Sequence, residues 1–191
     1  GQKNPEYLDA QLFEEKFLAP LAALEGRIGL VQFEFSGPEE HELERLREFF
    51  SAIPRRFSYG VEIRNPALVR PDFYRLLRDI GVSPAFVSWT RMPPLSEQWG
   101  AYLEAGGAED PLPLLGLGIV RPGRSYEEAV RLFQPYHEVR ETYPEGRAGL
   151  ADIGLWAMKN RRKAYILINN RWEGSAPHSI GRVMDLFDRG R

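Results

Sequence analysis

Cysteine is absent from the 191-residue chain, which excludes a disulfide framework and any thiolate metal site. Histidine is scarce: His41, His137 and His178 stand far apart. A zinc site built on histidine alone is not expected, although carboxylates remain for a divalent metal such as Mg²⁺. No apolar run approaches the roughly 20 residues of a membrane span, and no leader pattern opens the sequence. A cytoplasmic protein with no membrane partner is the default expectation. Excess basic charge is missing too. Lys and Arg total 25 against 27 Asp and Glu, a formal net charge of −2. That excludes a nucleic-acid footprint over the whole chain and leaves only a local patch. Finally, Gly116-Leu117-Gly118 lacks the third glycine and the following helix of a dinucleotide fingerprint.

What is present is alternation. From Asp9, the spacing of Phe13, Phe17, Leu21 and Leu24 predicts one helical face, kinked at Pro20 and stopped at Gly26. Ile28 to Phe35 reads as a strand with Gln32 and Glu34 on one face, broken by Ser36-Gly37-Pro38. Leu43, Leu46, Phe50 and Ile53 predict a helix closed by Pro54. Phe73, Leu76, Leu77 and Ile80 predict another, opened by Pro71-Asp72 and ended by Gly81. Ser96 is placed to cap a short helix, and Ser125-Tyr126-Glu127-Glu128 is a capping box. A further helix is expected over about 149–161 and a last one on Ile180, Val183, Met184 and Phe187.

Five strands, at about 28–35, 58–64, 84–90, 112–120 and 164–169, alternate with these helices. Such alternation predicts an α/β fold with a parallel sheet in a single domain over 1–191. An open doubly wound sheet has apolar strands. Here Gln32, Glu62, Arg64, Thr90, Arg121 and Asn169 lie within or at the ends of strands. That favours a TIM-like (β/α) barrel, whose functional end collects side chains from the C-terminal ends of different strands.

Three segments resemble one family in order and spacing. Leu30-Val31-Gln32-Phe33 is similar to its L-x-Q-F-P-P segment, Val61-Glu62-Ile63-Arg64-Asn65 to its V-E-F-R-H, and Asn169-Asn170 through Gly174-Ser175-Ala176-Pro177 to its closing F-N-N…G-x-A-P. The family is the YecE-like family, or domain of unknown function 72. The resemblance runs from about residue 8 to 188 and implies a TIM-like barrel with no established activity. It also implies that the chain holds strands four to eight, five of eight, as the C-terminal part of such a barrel. Open sheet edges then invite pairing with another segment or a second copy. The family's R-H-x-x-W histidine and tryptophan are Asn65 and Leu68 here, and its aspartate after the next strand aligns near Trp89-Thr90. Proton transfer at those positions is put in doubt.

Several residues carry candidate chemistry. Glu62 and Arg64 share a strand face: either Glu62 is a catalytic acid/base or metal ligand beside an anion-binding Arg64, or the two form an internal ion pair. Arg121, where the family also has an arginine, either completes a two-guanidinium clamp with Arg64 or is a loop arginine. Asn169 and Asn170 offer amides to a ligand, with one expected to cap a turn. Gln32 and Asn65 are further substrate-binding candidates. Trp89 and Trp172 read as an aromatic wall or as core. His178 stands at a helix start, and Arg161-Arg162-Lys163 reads as a solvated turn. The combined expectation is a hydrolase or lyase acting on a phosphorylated or otherwise anionic small molecule. The alternative is a non-catalytic binding module for a nucleic acid or an anionic metabolite, the nucleic-acid form weakened by the net charge of −2. A third possibility is a piece inactive without the remaining strands.

Overall fold

A computed structural model describes residues 4, 6–36 and 40–190. Gly37 and Pro38 of the expected strand break lie outside these residues, as do positions 1–3 and 5. Five strands form one parallel sheet in sequential order: β1 Val31–Phe35, β2 Tyr59–Ile63, β3 Ser83–Ser88, β4 Leu114–Gly118 and β5 Ala164–Ile168. Sequential parallel order with a helix in each crossover is part of a TIM-like (β/α) barrel, with five strands and the circle left open.

The first helical segment departs from the expected single face. Asp9 caps α1 (Ala10–Phe13) by accepting from Leu12 N at 2.8 Å. A wide π turn, Glu14–Leu18, follows before α2 (Ala19–Leu21). Pro20 cannot make a regular bond to Lys16, so the widened turn falls just ahead of it. The shift in phase buries Leu18, while Phe17 and Leu24 are left 45% and 44% exposed. Nor does Gly26 stop the segment, which continues as a 3₁₀ turn through Arg27.

The remaining helices follow their apolar stripes. They are α3 Leu43–Ala52, α4 Pro71–Asp79, α5 Leu95–Glu104, α6 Tyr126–Phe133, α7 Pro144–Lys159 and α8 Ala176–Arg189. Gly81, at φ +66°, turns the chain out of α4 into β3. Ser125 Oγ accepts from Glu128 N at 3.1 Å, as its capping box predicts. Ser96 sits inside the first turn of α5 rather than capping it, and α7 begins five residues before the expected start. Along α8, Val183 is buried but Ile180 and Met184 are exposed. That helix packs on α7 and β5, which cover only one line of side chains.

The helices cover one face of the sheet and build the main core there. The other face is divided. On β3 and β4 it is apolar, with Ala85, Val87, Leu115 and Leu117 clustered. On β1 and β2 it carries the polar groups. Gly60 lets this face close up, since a Cβ there would fall 2.9 Å from Leu30. At β5 the same face ends in Leu167, 53% exposed. No helix among the described residues is long and apolar enough to cross a membrane.

Candidate functional site

The register of β1 on β2 sets Glu34 opposite Glu62 and Gln32 opposite Gly60. Glu62 is 1% exposed, so it needs partners. Gln32 Nε2 donates to its Oε2 at 2.7 Å and Arg64 Nε to its Oε1 at 2.9 Å. Arg64 Nη2 reaches across to Glu34 Oε2 at 2.8 Å. The guanidinium lies on the Trp89 ring, 3.8 Å from its centroid. Three expected residues, Gln32, Glu62 and Arg64, are thus brought into one constellation, with Glu34 and Trp89 completing it.

Burial pushes the Glu62 carboxyl above its ordinary value of 4.5. The hydrogen bond and charge of Arg64 oppose the rise, the charge of Glu34 adds to it, and Gln32 opposes it. Arg64 in turn serves two carboxylates, which leaves little net positive charge at that point. Those carboxylates are what a divalent metal would take, and Arg64 bridges both. Among the described residues no group of three or more acidic or histidine side chains is placed to hold an ion.

The cleft beside this constellation lies where the β2–β3 ladder stops. Among the described residues β2 and β3 pair only at Gly60↔Ser83 and Val61↔Pro84, and further along β3 the N–H and C=O of Val87, on the side away from β4, are both taken by the Gln98 side chain. Past that point a cleft of about 410 Å³ opens, lined by Ser36, Arg64, Trp89, Arg91, Tyr126 and Glu127 among others.

The other expected residues sit elsewhere. Arg121 is paired with Glu141 at 3.1 Å, a carboxylate shared with Arg124 at 2.6 Å; it does not line the Arg64 cleft. Asn65 Oδ1 accepts from Ala67 N at 3.0 Å and starts the turn Pro66–Leu68. Asn169 Oδ1 accepts from Arg171 N at 3.0 Å, and Asn170 Oδ1 from Ala176 N at 2.7 Å at the start of α8. Both amide oxygens hold the β5–α8 connection in place. Trp172 is core: it is fully buried, and its Nε1 donates to Ser88 Oγ at 3.0 Å. His178 is exposed, with Nδ1 2.8 Å from Ser175 Oγ.

Sequence reasoning missed Glu141 and Glu173. Glu173 is wholly buried; it accepts from Tyr143 N and from Ser179 Oγ at 2.6 Å, and pairs with Arg147 at 2.9 Å. Its one visible signal is a carboxylate between Trp172 and Gly174, inside a segment already singled out. Arg162 corrects the reading of its run as solvated. It donates to Gly107 O at 2.9 Å and Tyr102 Oη at 2.9 Å, and to Leu112 O.

A family model described as "Protein of unknown function DUF72" matches residues 3–191. Among solved structures, a DUF72 family protein from Thermotoga maritima MSB8 superposes with a TM-score of 0.63 at 16% identity, over 97% of this chain and 66% of its own. A DUF72 family protein from Enterococcus faecalis V583 superposes with a TM-score of 0.58 at 16% identity, over 90% of this chain and 66% of its own. This chain spans about two thirds of the length of these relatives, and at such identity the likeness is one of fold. No curated protein sequence matches.

Proposed function

The chain belongs to the DUF72 family, whose description carries no reaction, and from that premise we propose that the C-terminal ends of β1, β2 and β3 form a hydrolase or lyase site for a small phosphorylated or otherwise anionic molecule. Glu62 is the acid/base and Arg64 its positioning partner. One observation carries the reading. Glu62 is a buried carboxyl, raised above its ordinary value, in a polar constellation beside a cleft at the functional end of a barrel-type sheet. Raising a carboxyl toward neutral pH is how such a group becomes an efficient proton donor and acceptor. Gln32 and Arg64 fix its orientation.

Turnover of a panel of phosphate monoesters, p-nitrophenyl phosphate included, tests it. Glu62→Gln is expected to lower kcat by a factor of about 100 or more. Undiminished turnover in that variant overturns the assignment.

A specific feature favours the second reading, a non-catalytic binding module for an anionic metabolite or nucleic acid: both Glu62 oxygens already have protein partners. Binding that persists while no panel member turns over selects it, and a steep salt dependence selects its nucleic-acid form. Under either reading β1 and β5, among the described residues, each pair on one side only. We include pairing of those edges with a further segment or a second copy in the proposal.

A further inference from the structure

We propose that the cleft holds an uncharged planar heterocycle of the nucleobase class, with guanine the best match, stacked on the Arg64–Trp89 pair and against Tyr126 and held at its rim by Arg91 and Glu127. The inference rests on the reading of this cleft as the ligand site and names the class of ring that enters it.

Stacking surface is what the cleft offers most of. Arg64 is bound by Glu62 at 2.9 Å and by Glu34 at 2.8 Å, so its charge is spent and its plane is fixed. Its central carbon lies 3.8 Å from the centre of the Trp89 ring. Arg171 covers one face of Tyr126, 4.5 Å from the ring centroid. Tyr126 is nevertheless 42% exposed, which leaves its other face open. Arg64, Trp89 and Tyr126 all line the cleft. They follow β2, β3 and β4 in turn, so the β3 end with Trp89 stands between the ends that supply Arg64 and Tyr126. Flat heterocycles stack on aromatic rings and on guanidinium planes alike.

Charge does not select an ion here. With Arg64 spent, the free lining charges are Arg91 and Glu127, one of each sign. Both are exposed, and neither has a hydrogen bond or ion pair among the described residues. The rim therefore favours neither an anion nor a cation. It presents a guanidinium in need of an acceptor and a carboxylate in need of a donor. Guanine answers both: its O6 and N7 accept from an arginine, and its N1–H and N2 amino group donate side by side to a carboxylate. Adenine, cytosine and uracil lack that adjacent pair of donor groups. A cleft of about 410 Å³ belongs to the size class of small-molecule sites.

Titration calorimetry on the full chain with guanosine, adenosine, uridine, ribose and methyl glucoside tests the assignment. Guanosine is expected to bind at least about tenfold tighter than ribose or methyl glucoside, since a single stacked base supplies that much. Trp89→Leu and Tyr126→Ala are each expected to weaken guanosine and adenosine about tenfold. Tyr126→Phe, which keeps the ring, is expected to bind as the wild type does and separates lost stacking from a folding defect. Glu127→Gln is expected to weaken guanosine about tenfold and to leave adenosine unchanged. No nucleoside binding at millimolar concentration, methyl glucoside bound as tightly as guanosine, or an unchanged guanosine-to-adenosine ratio in Glu127→Gln overturns the proposal. Glu62→Gln separates it from the acid/base assignment. Glu62-dependent turnover without nucleoside binding sinks this inference alone, and the nucleoside pattern without Glu62-dependent turnover sinks only the assignment.

Discussion

Gln32 Nε2 donates to Glu62 Oε2 at 2.7 Å, so a fully buried carboxyl on one strand is anchored by an exposed amide on the next. With Arg64 on the other oxygen, Glu62 is hydrogen-bonded on both sides, yet burial still dominates and its pKa stays above 4.5.

That direction fixes a pH dependence. A carboxyl with a raised folded-state pKa contributes stability that is fully present below its unfolded value and is lost as pH rises through the folded one. The stability of the wild type relative to Glu62→Gln is therefore expected to fall as pH rises from below 4.5 toward neutrality. Urea unfolding of both proteins across that range reads it; parallel pH profiles would refute it.

The Glu62–Arg64 pair is expected to be strongly coupled. Arg64→Met leaves Glu62 buried without its cation and should cost about 2–4 kcal/mol. In the Glu62→Gln background the same change should cost at least about 1 kcal/mol less. A double-mutant cycle by chemical denaturation measures the difference, and additive effects would show that the pair does not act as a unit.

Two glycines should respond in opposite directions. A Cβ at Gly118 would lie 2.9 Å from the buried Trp172 ring, so Gly118→Ala is expected to cost about 1–3 kcal/mol. Gly100, inside α5, has nothing within 4 Å of a built Cβ, and Gly100→Ala should stabilise by about 0.5–1 kcal/mol. Thermal unfolding of the two variants checks both signs.

Arg162 should behave as a brace at the other end of the sheet. Removing its bonds to Gly107, Leu112 and Tyr102 in Arg162→Ala is expected to cost about 2–3 kcal/mol. Burial pushes the Tyr102 hydroxyl up to about 12, with Arg162 pulling it down. The variant should therefore titrate Tyr102 still higher, which ultraviolet absorbance reads directly.

The strands were legible because each carries its own apolar run between turn residues, and period-two alternation put Glu62 and Arg64 on one face before any pairing was known. Their partners were less accessible. Glu34 shares a face with Gln32 in the sequence, but only the β1–β2 register brings it to Arg64. Glu141 and Glu173 depend on long connections folding back on one another: Arg140 N and Glu141 N both donate to Glu173 O, and no local period encodes that return. The sequence alone reads Arg162 as solvated for the same reason, since its acceptors come from the connection that precedes β4. In the first helix Pro20 announces a kink but not the change of buried face from Phe17 to Leu18.

The early end of the β2–β3 ladder, with Val87 bonded to the Gln98 side chain instead, has a mechanical meaning. With the β2–β3 ladder ended at Val61↔Pro84, the sheet divides at the C-terminal ends of its strands into two leaves, one of β1 and β2 and the other of β3, β4 and β5. Arg64 belongs to the first leaf and Trp89 to the second, and their stacking at 3.8 Å is a rivet across the seam. Spreading the leaves there breaks a side-chain contact and no ladder bond, so the cleft can widen around a guest while the backbone of both leaves stays intact.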